Sequence, residues 1–505
     1  MSSSFSRFQA GRWPILGWLL LAIVVLACRL PLFGDPLIHS DETFYNLVGE
    51  RMLHGAVPFV DIWDRKPVGL FLIYAASHAL LGSGVLGYQL IAALSVFLTA
   101  VAIERLASRI ADRQGSRLAA VTYILGLAVF RCSGGQSPVF YNLPMVLAAG
   151  MMLALATQKR PDHLVIRGAA AMLLVGLALQ IKYTVVFEGI AFGIVLLWLN
   201  WRKNCSVVKL IAAGLVWVAS ALAPTALALG WYALHGYAQE FIWANFLSIF
   251  LRDTGAALSL DRISDLATDI ALTLPFWAGG LYWFRHRHTP AFATKNNTIQ
   301  TLPGAQVWLL GWAGVATFGF LIFGTYYDHY TAALLPSFAV LLSPILGCRP
   351  GKRMVTAFIL SFLIIAGSAI TIGTYRKYGG RTDLDRAAAL ISPNLHGRCL
   401  YVFEGYAALY SATHACTASR FVFPSHISRR VDSVALGVDS RVALQRILDH
   451  QPGVIVVNAK PDMSEANLTV RPMLHAALAH NYELYARTNL GKLNLLLYRL
   501  REYGR

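Results

Sequence analysis

Three short stretches near the start of the chain concentrate side chains able to do chemistry. They are His39-Ser40-Asp41-Glu42-Thr43-Phe44-Tyr45, Arg51-Met52-Leu53-His54-Gly55 and Asp61-Ile62-Trp63-Asp64-Arg65-Lys66-Pro67-Val68-Gly69. Together they hold four carboxylates, several cations and a set of aromatic rings. A carboxylate at a membrane surface can take a proton from a hydroxyl, and cations fixed beside it can hold an anionic group. In a partly dry site such charge pairs are worth far more than in bulk water. A solvated loop explains charge alone, but not charge interleaved with Trp63 and Tyr45 in a segment anchored to apolar blocks at both ends.

A second cluster, Gly324-Thr325-Tyr326-Tyr327-Asp328-His329-Tyr330, stands between apolar runs and is followed by Leu335-Pro336. An interfacial aromatic belt accounts for its tyrosines but not for Asp328-His329. Lys182, in Gln180-Ile181-Lys182-Tyr183, has two readings: a snorkelling anchor or an anion contact. Glu188 is costly in lipid and should face the protein interior. Arg131, Gln136, Tyr141 and Asn142 are further polar candidates.

The elements that must carry these groups are membrane helices. The chain has 505 residues, 56% hydrophobic and 14% charged, too few polar side chains to cover a soluble surface of this size. Trp18–Leu32, Leu90–Ile103, Leu118–Phe130, Gly189–Leu199, Leu210–Tyr232, Val307–Phe323 and Thr356–Ile372 carry few or no ionised side chains. With short caps, most approach the roughly 20 residues that cross about 30 Å of hydrocarbon. The net charge of +17 sits largely in clusters between such blocks, where it sets topology. No zinc-spacing, helix-turn-helix or RNA-binding signature accompanies it, so no nucleic-acid partner is expected.

Charge orients the chain. Arg7 and Arg12 precede a first helix that no convincing cleavage site follows, so it should be retained, leaving residues 34–84 external. Val68–Leu81 is short, and counting it as a span would put Arg105, Arg109, Arg113 and Arg117 outside. Read instead as a juxtamembrane or re-entrant helix, it leaves Lys159/Arg160/Arg167, Arg202/Lys203/Lys209, Arg285/Arg287/Lys295 and Arg349/Lys352/Arg353 cytoplasmic. About eleven spans follow, near 13–33, 85–104, 118–131, 142–157, 168–182, 184–200, 207–234, 266–284, 305–323, 331–347 and 354–374. Residues 1–375 form the transmembrane domain on this reading, and 376–505 a small external α/β domain.

In that second part Leu400–Phe403, Val454–Val457 and Leu493–Leu497 read as strands. Arg441–Leu448 and Arg471–His480 read as helices, and Thr382-Asp383 as a helix start. Cys399 and Cys416 share this segment, where an oxidising compartment would allow a disulfide; two free thiols are the alternative.

Asp-Glu followed by Tyr, then Arg-Met-Leu-x-Gly, then Trp-Asp-x-Lys-Pro resembles the first-loop signature of family 39-like membrane glycosyltransferases. These belong to the GT-C superfamily, with the protein O-mannosyltransferases and lipid A aminoarabinose transferases. The segment around Tyr327-Asp328-His329-Tyr330 resembles the aromatic-aromatic-x-His-Tyr segment of bacterial members. Two positions depart from the pattern: Phe44 stands where aminoarabinose transferases usually carry Arg, and Val68 where members often read a second Pro.

The resemblance implies a GT-C-type polytopic fold and inverting transfer of sugar from a polyprenyl-phosphate donor to an acceptor hydroxyl of a lipid, polysaccharide or protein. The site would lie on the external face of the cytoplasmic membrane. Asp41 matches the family's catalytic aspartate, with Glu42 as fallback, and Lys66 its phosphate-facing lysine. Arg65, His329 and Lys182 join Lys66 as donor-phosphate candidates, and Tyr45, Arg51, Asp61, Asp64 and Tyr327 are substrate-binding candidates. Fixed cations can neutralise a monophosphate, so no metal or other cofactor is required, although a divalent ion is compatible. A transporter or lipid flippase is the competing class, but it would place polar residues near the bilayer midplane rather than crowd them at one face.

Overall fold

The computed structural model describes residues 13–158, 161–204, 206–251, 260–286, 303–322, 326–461, 463 and 465–501. Arg7, Arg12, Lys159, Arg160, Arg287, Lys295, Gly324 and Thr325 lie outside them. A helix stands at each of the eleven positions where the sequence places a span. They are α1 (Trp13–Arg29), α4 (Val85–Ala107), α5 (Arg113–Val129), α6 (Ser137–Ala156), α7 (Leu164–Leu179), α8 (Val186–Asn204), α9 (Val207–Leu234), α10 (Leu260–His286), α11 (Pro303–Ile322), α12 (Leu335–Leu342) and α13 (Arg353–Tyr378). Among the described residues, six helical stretches are both long and apolar enough to cross a membrane.

Polar residues mark where these helices begin. The Asp112 carboxylate accepts from the Gly115 N–H at 2.9 Å and starts α5, satisfying an amide that the helix itself leaves unpaired. α7 packs between α6 and α9, and α5 lies against α4 and α13. α9 keeps most of its surface outside the protein core, as a helix facing lipid does.

Two helices of the first loop stand apart from these eleven. α2 (Ser40–Leu53) lies on α3 (Val68–Leu81), which continues onto α4. At 1.5 Å per residue α3 reaches about 21 Å, less than the hydrocarbon thickness, as does the still shorter α12. α2 approaches α3 closely because Gly49 meets its backbone: a Cβ there would sit 2.7 Å from the Ala75 nitrogen.

The C-terminal unit is a four-stranded mixed sheet in the order β1-β2-β4-β3. β1 (Leu400–Val402) runs parallel to β2 (Val454–Asn458), β2 antiparallel to β4 (Leu493–Leu500), and β4 forms a hairpin with β3 (Tyr482–Leu490). α14 (Arg381–Ile391), α15 (Ser440–Asp449) and α16 (Arg471–Asn481) accompany it. One sheet face packs Tyr401, Ile455 and Val457 against Leu444, Ile447 and Leu474, and Trp63 of the first loop is buried in that same core. The Trp63 N–H donates to the Arg420 carbonyl at 2.9 Å. The first loop is therefore built into the C-terminal unit.

Cys399 and Cys416 are bonded, across a sequence separation of 17. The bond ties the entry of β1 to a segment whose Cys416 carbonyl accepts from the Leu400 N–H. Opening a loop of this length should cost on the order of 2–4 kcal/mol. A Cys416→Ser variant should therefore show faster hydrogen exchange at β1 and β2 than the parent, and equal protection would mean that the bond adds no stability there.

Candidate active site

A cavity of about 1100 Å³ lies where the helices meet the C-terminal unit. The first loop contributes His39, Asp41, Asp64, Arg65 and Lys66 to its wall, and the helical part Arg131, Lys182, Tyr327, Asp328 and His329. The C-terminal unit closes it with Glu404, Phe423, Arg429, Asp432, Lys460 and Lys492.

Asp41 stands in the first turn of α2, where the helix dipole favours a negative charge. The Asp41 N–H donates to His39 Nδ1 at 3.2 Å, and the Tyr45 hydroxyl, one turn on, donates to Asp41 Oδ2 at 3.2 Å. His329 Nε2 lies 4.0 Å from the same oxygen. Burial alone pushes the Asp41 carboxyl up, but Lys66, His39, His329 and Lys182 outweigh it and hold the group well below the usual carboxylate range. Burial also pushes His39 down to about 4, so near neutral pH its ring is uncharged and can accept.

Lys66 is fixed from two sides. Asp64 Oδ1 accepts from the Lys66 N–H at 2.9 Å and lies 3.7 Å from Nζ. The ammonium also sits 5.1 Å from the Tyr45 ring centre and 5.8 Å from that of Phe423. Burial pushes its pKa down, but Asp64 and Asp41 outweigh this and raise it, so Lys66 stays charged. Asp64 is held well below the carboxylate range, since Lys66, His426 and Arg65 overcome its burial.

The second cluster faces the first. Arg131 Nε pairs with Asp328 Oδ2 at 2.5 Å, and His329 Nδ1 lies 3.7 Å from Asp328 Oδ1. The His329 ring stacks on Tyr327 and meets His39 edge-on at 5.2 Å. Lys182 Nζ sits 4.0 Å from the centre of the Tyr330 ring, an arrangement that keeps the ammonium on the cavity wall rather than snorkelling to lipid. Glu188 faces the protein interior, buried against Trp312, whose Nε1–H donates to it at 2.6 Å.

Of the residues singled out from sequence, Asp41, Asp64, Arg65, Lys66, Lys182, Tyr327 and His329 meet in one cavity, and Tyr45 touches Asp41 from behind. Three more of the catalytic and substrate-binding candidates are placed elsewhere. Arg51 reaches out to the Ala415 carbonyl at 2.7 Å, a tie between chain segments, and the exposed Asp61 accepts from the Val57 N–H at 2.7 Å. Glu42 is fully buried behind the cavity wall, against Gly134, and neither of its oxygens has a hydrogen-bond partner of good geometry. Sequence reasoning assigned no role to His39, although it stands two residues before Asp41. It also found no site in the C-terminal unit, because the cavity residues there are scattered over segments with no spacing in common.

Among the described residues no three His, Cys, Asp or Glu side chains come together as a metal-ligand set. No protein-family model and no curated protein matches the chain. Solved structures do. ArnT from Cupriavidus metallidurans bound to undecaprenyl phosphate superposes with a TM-score of 0.58 at 17% identity, over 97% of this chain and 98% of that one. Its apo form gives 0.59 at 16%, over 96% and 97%. The oligosaccharyltransferase AglB from Archaeoglobus fulgidus, in complex with an inhibitory peptide and a dolichol-phosphate, gives 0.52 at 12%, over 88% and 69%. The fold is GT-C, of the ArnT kind. The GT-C likeness extends through the C-terminal unit, since almost the whole of both chains is covered.

Glu42 offers a test of this geometry. Burial pushes its carboxyl up to about 7, with the Gly135 N–H, Arg29 and Tyr88 only partly offsetting it. A folded pKa above the unfolded value means the folded state binds the proton more tightly. The contribution to stability is full below the unfolded pKa and lost as pH rises through about 7. The thermal midpoint of the parent should therefore gain on that of Glu42→Gln as pH falls from about 8 to about 5, the range that brackets this titration. A difference constant across that range would place Glu42 in an ordinary environment.

Proposed function

We propose that the protein is an inverting glycosyltransferase that moves a sugar from a polyprenyl-phosphate donor to an acceptor hydroxyl on the external face of the cytoplasmic membrane. The observation that carries this reading is the meeting of Asp41 with Lys66, Lys182 and His329 in one cavity, within a fold shared with a protein crystallised bound to undecaprenyl phosphate. In this reading the first loop and residues 376–505 are external, and the acceptor is a lipid, polysaccharide or protein.

The donor phosphate sits near Lys66 and Arg65, with Lys182 and His329 on the opposite wall. Asp41 removes the acceptor's proton, and the acceptor oxygen attacks the anomeric carbon from the face opposite the phosphate. The carbon–oxygen bond to the phosphate breaks, polyprenyl phosphate leaves with the electron pair, and the configuration inverts. Tyr45 orients the Asp41 carboxylate through its hydroxyl, while Asp64 holds Lys66 and Tyr327 flanks His329.

The cations around Asp41 stabilise its ionised form and make it a weak base. A donor phosphate between those cations takes up much of their field, so donor binding raises the basicity of Asp41 as the acceptor needs it. The same fixed cations stabilise the leaving phosphate without a metal, and EDTA should leave the rate unchanged.

Purified protein, a polyprenyl-phosphate sugar and an acceptor provide the test. Asp41→Asn should lower the transfer rate about 10²–10⁴-fold, the usual cost of losing a general base. Lys66→Ala should lower it on the order of 10²–10³-fold through lost leaving-group stabilisation. Asp61→Asn and Lys203→Ala, away from the cavity, should change it little. If correctly folded Asp41→Asn and Lys66→Ala both transfer at the parent's rate, the transfer site lies elsewhere in the protein; if the parent transfers no sugar, the transporter or flippase reading takes its place.

A further inference from the structure

The Lys66 segment does not hold itself in place. Its two preceding side chains are both gripped by one short stretch of the C-terminal unit, the turns Ser425–Ser428 and Arg430–Ser433. Arg65 Nη2 pairs with Asp432 Oδ1 at 2.5 Å, and the Ser425 hydroxyl donates to the other Asp432 oxygen at 2.8 Å. His426 Nε2 lies 3.7 Å from Asp64 Oδ2, while the other Asp64 oxygen accepts from the Arg65 and Lys66 N–H groups at 2.5 and 2.9 Å. His426 is 1% exposed and packed among the rings of Trp63, Phe44 and Phe423. Burial pushes its pKa down, so its uncharged ring meets the Asp64 carboxylate with an Nε2–H. Asp64 is thus the shared member of two contacts: one edge orients the Lys66 backbone and ammonium, the other rests on His426.

We propose that His426 and Asp432 are positioning residues for Lys66: through Asp64 and Arg65 they set where its ammonium stands in the cavity, so that the C-terminal unit completes the anion site of the first loop. The alternative use of these residues is purely structural, as interdomain ties, and the two uses make different predictions. A tie that merely holds the C-terminal unit down affects stability and acts independently of Lys66. A positioning contact acts only through Lys66, and its loss disappears once Lys66 is gone. Misplacement of a reacting group by about 1 Å can cost on the order of 10²-fold in rate, which is ample for such a contact to be visible.

The inference rests on the glycosyl-transfer reading for its kinetic arm only. Asp432→Asn and His426→Phe, which keep shape and remove the charge or the donor, should lower kcat by about 10–10²-fold with little change in the KM for a polyprenyl-phosphate sugar. His426→Gln, which restores a donor, should recover much of the loss. In a Lys66→Ala background the same substitutions should change the residual rate little, because they have nothing left to position. The second arm needs no activity: competitive acylation of lysines, read by mass spectrometry, should show Lys66 reacting faster in folded Asp432→Asn and His426→Phe while exposed Lys203 is unchanged. Losses that multiply in full with Lys66→Ala, or Lys66 acylation at the parent's rate in both variants, would overturn the proposal. Should the parent transfer no sugar at all, the glycosyltransferase reading falls, and the acylation rates still decide whether these residues place Lys66.

Discussion

Removing an ammonium group from water costs several kcal/mol even after the protein relaxes, and Lys66 is half-buried in the cavity wall. Its charge persists because Asp64 lies 3.7 Å away and the Asp41 carboxylate faces the same space. Much of the architecture serves this one requirement. Two carboxylates must be brought to one cation from different stretches of chain, and each must be kept ionised despite its own burial. Asp41 is delivered by the first turn of a helix that Gly49 lets sit close against α3. Asp64 is delivered by the loop that follows, pinned by Trp63 inside the core of the C-terminal unit.

That pinning makes the helical part and the C-terminal unit mutually dependent. The first loop lends the sheet a core residue, and the C-terminal unit returns a carboxylate and a histidine to the loop's charged turn. Further ties run the same way: the Arg381 guanidinium donates to the Gly34 carbonyl at 2.7 Å, and the Ser411 hydroxyl to the Glu50 carboxylate at 2.9 Å. A rigid seam of this kind suits a cavity whose two walls come from the two parts, since charge geometry there survives only if the walls do not slide.

The helical layout was legible because lipid imposes it: backbone groups must be paired within a segment, so apolar length and flanking cations are enough to locate the helices. β1, β2 and β4 were legible as short apolar runs. β3 was not, for its exposed edge carries Glu483 and Arg487 and a bulge after Leu484 breaks the alternation that marks a strand. In the sequence, charge density pointed to the loop that lines the cavity, but sorting its residues required three dimensions. Asp41 and Tyr45 lie one helical turn apart on a single face, whereas Glu42 is turned about 100° away, into the protein. Arg51 and Asp61 have the same residue types as residues lining the cavity, yet spend their polar groups on backbone carbonyl and amide partners that no spacing rule announces. His426 and Asp432 are farther still from sequence reasoning, separated from the loop they hold by more than the whole helical part.

The adjacent pair Asp41 and Glu42 shows why geometry has to be settled before acidity. By acidity alone Glu42 is the better base, since burial brings it to about 7 while cations hold Asp41 far lower. But Glu42 lies against Gly134 behind the wall, where no acceptor oxygen can reach it, and Asp41 opens on the cavity. Its low basicity comes from the cations around it, Lys66 foremost. Once an anionic group is placed among them, the field on Asp41 weakens and its affinity for a proton grows. On the proposed reading, the strength of the base is thereby linked to binding of the anionic donor, so that Asp41 is most reactive when donor and acceptor are both present.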